Sequence, residues 1–286
     1  MSYIQNLIDL ALLEDSAYQD ETAQATILEA QRGTAAITAK AKGILSGCDI
    51  AKQVFHTMDH TIQQQWLKLD GDAVDIGDVI VHLTGSLRHL LAAERTALNF
   101  MQHLSGIATS THAFVEEVQH TNCSIADTRK TTPGLRYLEK QAVIHGGGIN
   151  HRMDLSSGML IKENHIEASG SISDAISACF AHNQELWVEV ECETMAQVQE
   201  AVLLCPDIIL LDNMSTAQVA QAREMVPPSI LLEASGNICL DNARDYAETG
   251  VNRIAIGAIT HSAPSLDLSM RVQALPLHQP ANDESL

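Results

Sequence analysis

Between Asp127 and His165 the chain reads DTRKTTPGLRYLEKQAVIHGGGINHRMDLSSGMLIKENH. This stretch gathers Arg129, Lys130, Arg136, Lys140, Arg152 and Lys162, with His145, His151 and His165 between them. The whole chain of 286 residues holds only 17 Lys and Arg against 36 Asp and Glu, for a formal net charge of -19. Arginine presents a planar fork suited to carboxylates and phosphates, and lysine a compact point charge. A solvated helix face can also carry such a run. Here, however, the cations alternate with Thr-Thr-Pro-Gly, Gly146-Gly147-Gly148 and Asn150, which form turns rather than fill faces. The segment therefore reads as a pocket for a small anion.

Polar groups follow apolar runs both within this segment and downstream of it. Thr128, Arg129 and Lys130 come after SIAD, Lys162 sits in LIKENH, Glu191 ends WVEVE, and Asp212 with Asn213 ends IILLDN. Ser235-Gly236-Asn237 and Gly257-Ala258 offer bare backbone N–H groups of the kind that hold phosphate. Glu191 and Asp212 can hold Mg²⁺, which favours one or two carboxylates plus substrate phosphates; they can equally bond sugar hydroxyls or balance the cations. Glu189 is expected to point away from Glu191, leaving one of the two in the pocket and the other structural. Lys162 reads as an anion clamp before a Schiff-base lysine. His151 reads equally as a general acid or base and as a packed hydrogen-bond donor.

The elements that must place these groups alternate. Ile4–Leu13 is spaced as a short helix, Thr34–Thr84 as short β-like runs, and Leu90–Val118 as a long helix that Gly106 can kink. From SIADT onward strands and helices alternate, with MLIKENHI read as β-like, which implies a parallel sheet covered by helices. On the residues alone a closed α/β barrel is expected, with its chemistry at the C-terminal strand ends. Domains are placed at 1–110 and 111–275, followed by a disordered tail over 276–286.

Composition narrows the partners. The apolar runs are too short for a transmembrane helix, and the acidic start MSYIQNLIDLALLEDSAYQDE lacks the basic region of a secretory signal. Cys48, Cys123, Cys179, Cys192, Cys205 and Cys239 show no metal-binding spacing and read as reduced thiols of a cytoplasmic protein. Net negative charge argues against nucleic acid and membrane surfaces.

The stretches ERTALNFMQHLSGIAT, DTRKTTPGLR, GGGINHR and LIKENH, followed in order by VEVE, LLDN, EASGN and IGAITHSAPSLDLS, resemble the nicotinate-nucleotide pyrophosphorylase family, also called quinolinate phosphoribosyltransferase (decarboxylating). The resemblance runs from about Asp9 to Val272. It implies an α/β protein with an N-terminal α/β sandwich-like domain and an incomplete, open α/β barrel, paired as a homodimer. It also implies that quinolinate and phosphoribosyl pyrophosphate give nicotinate mononucleotide, pyrophosphate and CO₂ with Mg²⁺, in de novo NAD biosynthesis. Arg129, His151, Arg152 and Lys162 would then hold the quinolinate carboxylates, beside Thr128, and Arg95 would enter the neighbouring subunit's pocket. Lys130 would face the leaving pyrophosphate, and Glu191 and Asp212 the ribose and its metal ion. Ser235, Gly236, Asn237, Ile256, Gly257 and Ala258 would cradle the 5-phosphate.

Two positions depart from the family pattern. Tyr18-Gln19-Asp20-Glu21-Thr22 replaces a Gly-Asp-Xaa-Thr turn, and Asp154 stands where a Gly often follows the Asn-His-Arg motif. Asp154 is expected to bond a neighbouring turn rather than weaken Arg152. The alternatives are a molybdenum-utilisation paralogue with another acceptor and a catalytically silent anion-binding protein. Retention of the whole cationic and acidic set argues against both.

Overall fold

The computed structural model describes residues 3–276. The chain forms two compact units, one made of residues up to Gly106 together with the segment from Pro264, the other of Ile107–Ala263. The first contains α1 (Tyr3–Glu14), α2 (Glu21–Thr26), β1 (Arg32–Ala39), β2 (Gly43–Ile44), α3 (Cys48–Met58), β3 (Gln63–Trp66), β4 (Ala73–Val74) and β5 (Val79–Ser86). The long helix α4 (Leu87–Val118) begins in this unit. Along β1 every second residue is buried, as one core-facing side of a sheet requires. Asp20 accepts a hydrogen bond from the Ala23 N–H at 2.9 Å and so caps α2, which is how the altered N-terminal turn is closed.

The second unit contains β6 (Ser124–Ala126), α5 (Arg136–His145), β7 (Met159–Ile161), α6 (Glu163–Ser169), α7 (Ile172–His182), β8 (Val188–Cys192), α8 (Met195–Val202), β9 (Ile208–Asp212), α9 (Thr216–Met225), β10 (Leu231–Ser235), α10 (Leu240–Glu248), β11 (Arg253–Ala255) and α11 (Ala258–His261). Its six strands run parallel in the order β6-β11-β10-β9-β8-β7. The apolar run IILLD and the alternating run VEVEC are both buried along almost their whole length, as strands covered on both faces must be. Thr194 and Ser215 start α8 and α9 through reciprocal capping with Gln197 and Gln218, so each helix begins just past a strand end.

Four expectations are corrected. The sheet is open: residues between β6 and β7 contribute α5 and a Gly-rich loop, whose only ladder contact is the bridge Ala126–Ile149. The second domain does not extend to residue 275. Instead β12 (Leu268–Ala274) pairs antiparallel with β1 from Gly33–Ala274 to Ala39–Leu268, covering an edge that would otherwise be open. Helix α3 lies inside the stretch read as β-like runs. The strand in MLIKENHI stops at Ile161, because Lys162 caps α6. The expected disordered tail falls beyond Pro276, outside the described residues.

Helix α4 runs unbroken through Gly106. A Cβ at Gly106 would collide with the carbonyl oxygen of Pro264, so the glycine serves close backbone approach rather than a kink.

Candidate active site

A cavity of about 410 Å³ opens at the C-terminal ends of the parallel strands. It is lined by Thr128, Arg129, Lys130, His151, Arg152, Lys162, Glu191, Asp212, Ser235, Gly236 and Asn237, all anticipated from the sequence. Leu160, Leu210, Asn213, Glu233 and Ala255 complete the lining and were not expected as site residues. Ile256, Gly257 and Ala258 are not among the lining residues. Gly257 still adjoins the site, since a Cβ there would lie 2.9 Å from Lys130 Cδ. Arg95 is exposed on α4, in the first unit.

One wall is cationic. The frame beneath it is the buried ion pair of Lys140 and Asp127, both fully buried. Burial pushes the Asp127 carboxyl up and the Lys140 ammonium down, and their mutual attraction opposes both shifts. Asp127 also accepts from Asn150 Nδ2 at 2.6 Å and from the His151 N–H at 2.9 Å, while Lys140 donates to the His151 carbonyl at 3.0 Å. Thus Lys140 and Asn150 of the basic segment hold its loop in place instead of facing ligand.

On that frame stand Arg129 and Arg152. Among the described residues neither forms an ion pair with a carboxylate, and the buried Nε of Arg129 has no hydrogen-bond partner. Arg152 Nη1 donates to the Gly158 carbonyl at 3.0 Å. Burial, and then the neighbouring Arg129, lower the pKa of its guanidinium from the usual value. Two partly desolvated, unpaired guanidiniums side by side form a receptor for an anion. Asp154 stays in its own turn, accepting from Ser156 N–H at 2.9 Å and from the Ser156 and Ser157 hydroxyls at 2.7 and 2.6 Å. Those bonds, led by Ser157, hold its carboxyl down at about 2.

The opposite wall is acidic and carries a backbone cradle. Lys162 pairs with Glu191. Burial, and then the charge of Glu191, push Asp212 upward. Asn213 and Asn237 both adopt left-handed φ values, 56° and 55°, and Gly236 has φ 92°. A Cβ at Gly236 would collide with Asn213 Oδ1, the atom that accepts from Asn237 Nδ2 at 2.9 Å. Only glycine permits that turn.

Glu189 and Glu191 do not face opposite ways. Residues two apart on a strand share a face. Glu191 reaches the cavity and Glu189 lies deeper on the same side, fully buried. There Glu189 joins Glu233, His151 and Arg253. His151 Nε2 stands 3.0 Å from Glu189 Oε2 and 3.6 Å from Glu233 Oε1. Arg253 Nη2 donates to Glu189 Oε2 at 3.3 Å and its Nε donates to Glu233. Burial, and then the charge of Glu189, push Glu233 up to about 8, against the pull of Arg253. The ligating atoms of His151, Glu189 and Glu233 lie within 4.8 Å of one another, yet the guanidinium of Arg253 already bridges the two carboxylates and fills the role of a cation. Glu233 and Arg253 escaped the sequence reading because each sits inside a short apolar strand; an acid and a base in strands that are otherwise buried was the available signal.

Comparison with known proteins fits this arrangement. Residues 107–271 match the family model described as quinolinate phosphoribosyl transferase, C-terminal domain, and residues 20–105 match the N-terminal domain of the same family. A probable nicotinate-nucleotide pyrophosphorylase [carboxylating] of Bacillus subtilis is 43% identical over 270 residues, covering 94% of this chain and 93% of that one. A quinolinate phosphoribosyltransferase [decarboxylating] of Nicotiana tabacum is 36% identical over 289 residues, covering 94% and 82%. The crystal structure of NadC from Streptococcus pyogenes superposes with a TM-score of 0.92 at 39% identity, covering 96% and 97% of the two chains.

Proposed function

The chain belongs to the quinolinate phosphoribosyltransferase family, and on that premise we propose that it converts quinolinate and phosphoribosyl pyrophosphate to nicotinate mononucleotide, pyrophosphate and CO₂, a step of NAD biosynthesis. The observation that carries this reading is the pair of unpaired, partly buried guanidiniums, Arg129 and Arg152, facing an acidic wall across one cavity. A dianionic ring suits the first wall, and a phosphorylated sugar suits the second.

Arg129, Arg152 and Lys162 hold the two carboxylates, beside Thr128, and orient the ring nitrogen toward C1 of the ribose. The turn Ser235-Gly236-Asn237 presents main-chain N–H groups to the 5-phosphate, with Ile256, Gly257 and Ala258 completing that end. Lys130 lies next to Gly257 and neutralises charge on the departing pyrophosphate. As the ring nitrogen bonds to C1, the C1–oxygen bond to pyrophosphate breaks and the sugar carries positive charge, which Glu191 and Asp212 stabilise. The ring nitrogen is then cationic, so the C2 carboxylate can leave as CO₂, its bonding pair staying on the ring carbon until a proton replaces it. Catalysis here is positioning and charge stabilisation, with no covalent enzyme intermediate.

Glu191 and Asp212 also suit Mg²⁺: they are neighbouring carboxylates, and burial together with the charge of Glu191 raises Asp212, a strain that a cation would relieve. When bound, Mg²⁺ would neutralise phosphate charge. Arg95 is exposed on α4 and outside the lining of the cavity, which supports a homodimer in which it completes the pocket of a second copy. No helix among the described residues is long and apolar enough to cross a membrane, and all six cysteines are free thiols, which supports a cytoplasmic enzyme.

The test is release of labelled CO₂ from carboxyl-labelled quinolinate. Release that requires phosphoribosyl pyrophosphate and Mg²⁺ is expected. A folded protein that binds phosphoribosyl pyrophosphate but releases no CO₂ would sink the assignment in favour of another acceptor.

A further inference from the structure

Resting on the reading of this cavity as a dicarboxylate site, we infer that Glu189, Glu233 and Arg253 are positioning residues: they hold His151 as its Nε2–H tautomer, whose bare Nδ1 anchors the main chain of Arg152. His151 then supports the carboxylate clamp from behind, by fixing the backbone of Arg152.

The argument starts at Nδ1. It accepts the Arg152 backbone N–H at 2.7 Å, so it carries no proton. The ring proton must sit on Nε2, and that nitrogen faces the buried carboxylates of Glu189 at 3.0 Å and Glu233 at 3.6 Å. The opposite tautomer would press two N–H groups together at Nδ1 and turn a lone pair toward the Glu189 carboxylate. A contact of 3.4 Å between Arg253 Nη2 and His151 Nε2 is too long to offset that arrangement. The doubly protonated ring meets the same clash at Nδ1. Arg253 is the cross-strand partner of Glu233 and bonds both carboxylates, so neither can swing away from the ring. Trp187 packs edge-on against the imidazole, with ring centres 5.7 Å apart.

Every hydrogen-bonding group of His151 is thereby committed to the protein. Its N–H and carbonyl are tied to Asp127 and Lys140, its Nδ1 to Arg152, and its Nε2 to the interior carboxylates. What this fixes is the backbone from which the Arg152 guanidinium projects into the cavity. A misplaced guanidinium would weaken quinolinate binding without touching the site for the phosphorylated sugar.

Nitrogen NMR of the full chain labelled with ¹⁵N-histidine tests this without any substrate, the His151 signals being identified by their loss in His151→Gln. At neutral pH the ring should show a bare Nδ1 and a protonated Nε2; protonation of Nδ1, alone or together with Nε2, overturns the inference. The second arm is Glu189→Gln, whose amide can donate to Nε2 as well as accept from it and so releases the tautomer. The KM for quinolinate should rise about tenfold, the loss of roughly one well-formed hydrogen bond, while kcat and the KM for phosphoribosyl pyrophosphate stay within about twofold. A fall in kcat with an unchanged quinolinate KM would overturn it. Absence of quinolinate turnover in the unmutated enzyme would strike the functional reading instead, and the tautomer measurement separates those two failures.

Discussion

At the floor of the cavity, His151, Glu189, Glu233 and Arg253 bond one another around two fully buried carboxylates, whereas at its mouth Lys130, Lys162 and Asn237 are exposed. The floor uses buried charges to hold other charges still. On the proposed reading, that suits a rigid ring whose two carboxylates would meet Arg129 and Arg152 in one orientation, because preorganised cations need not rearrange during the reaction. The mouth relies on exposed ammonium groups and on main-chain N–H groups in the turn around Gly236. That suits a phosphorylated sugar that must enter and a pyrophosphate that must leave. Rigidity and access are thus separated by depth within a single strand: Glu189 lies in the interior and Glu191, two residues on, at the opening.

Perturbing the frame under the floor should have the largest effect. Lys140→Ala leaves Asp127 buried and unpaired, and breaking such a pair costs about 3–5 kcal/mol. Chemical denaturation should show that loss, whereas Lys162→Ala at the mouth should change stability by less than about 1 kcal/mol. Next comes Arg129→Ala. Truncating one partner of a desolvated charge pair costs about 2–5 kcal/mol, so kcat/KM for quinolinate should fall roughly a hundredfold or more in steady-state assays.

The third prediction sharpens the electrostatic contrast. Glu233 titrates at about 8 in the folded protein and near the ordinary value of 4.5 when unfolded. Between these values the folded state holds a proton that the unfolded state has released, so this group makes stability fall as pH rises across that window. The slope is at most about 1.4 kcal/mol per pH unit. Glu233→Gln should flatten that decline in urea unfolding measured at pH 5 and pH 8, and a decline of undiminished slope would refute the assignment. The smallest effect belongs to Asp154→Ala. Asp154 spends its carboxylate on Ser156 and Ser157 in an exposed turn, so quinolinate KM should move by less than about threefold, a few tenths of a kcal/mol.

The mouth was far more legible in the sequence than the floor. Lys130, Lys162, Asp212 and the Ser-Gly-Asn turn stand at the ends of apolar runs, where a change of character is visible. Alternation of strands and helices also announced the parallel sheet, because each crossover leaves its own hydrophobic period. Closure of that sheet was not legible: whether residues between β6 and β7 supply another strand depends on tertiary pairing, and they supply α5 instead. Helix α3 was readable but passed over, since Ile50, Ala51, Val54, Phe55 and Met58 fall on one helical face and all are buried. The placement of Glu189 failed for a simpler reason. A period of two puts it beside Glu191, and only the depth of burial distinguishes their work. Glu233 and Arg253 acquire meaning through each other and through His151, a long-range juxtaposition that no local pattern encodes.

The most direct test of the division between floor and mouth is calorimetric titration of Arg152→Ala and the unmutated enzyme with quinolinate and, separately, with phosphoribosyl pyrophosphate. Quinolinate affinity should fall roughly a hundredfold, while affinity for phosphoribosyl pyrophosphate stays within about twofold. Equal losses for both ligands, or unchanged quinolinate binding, would contradict the account.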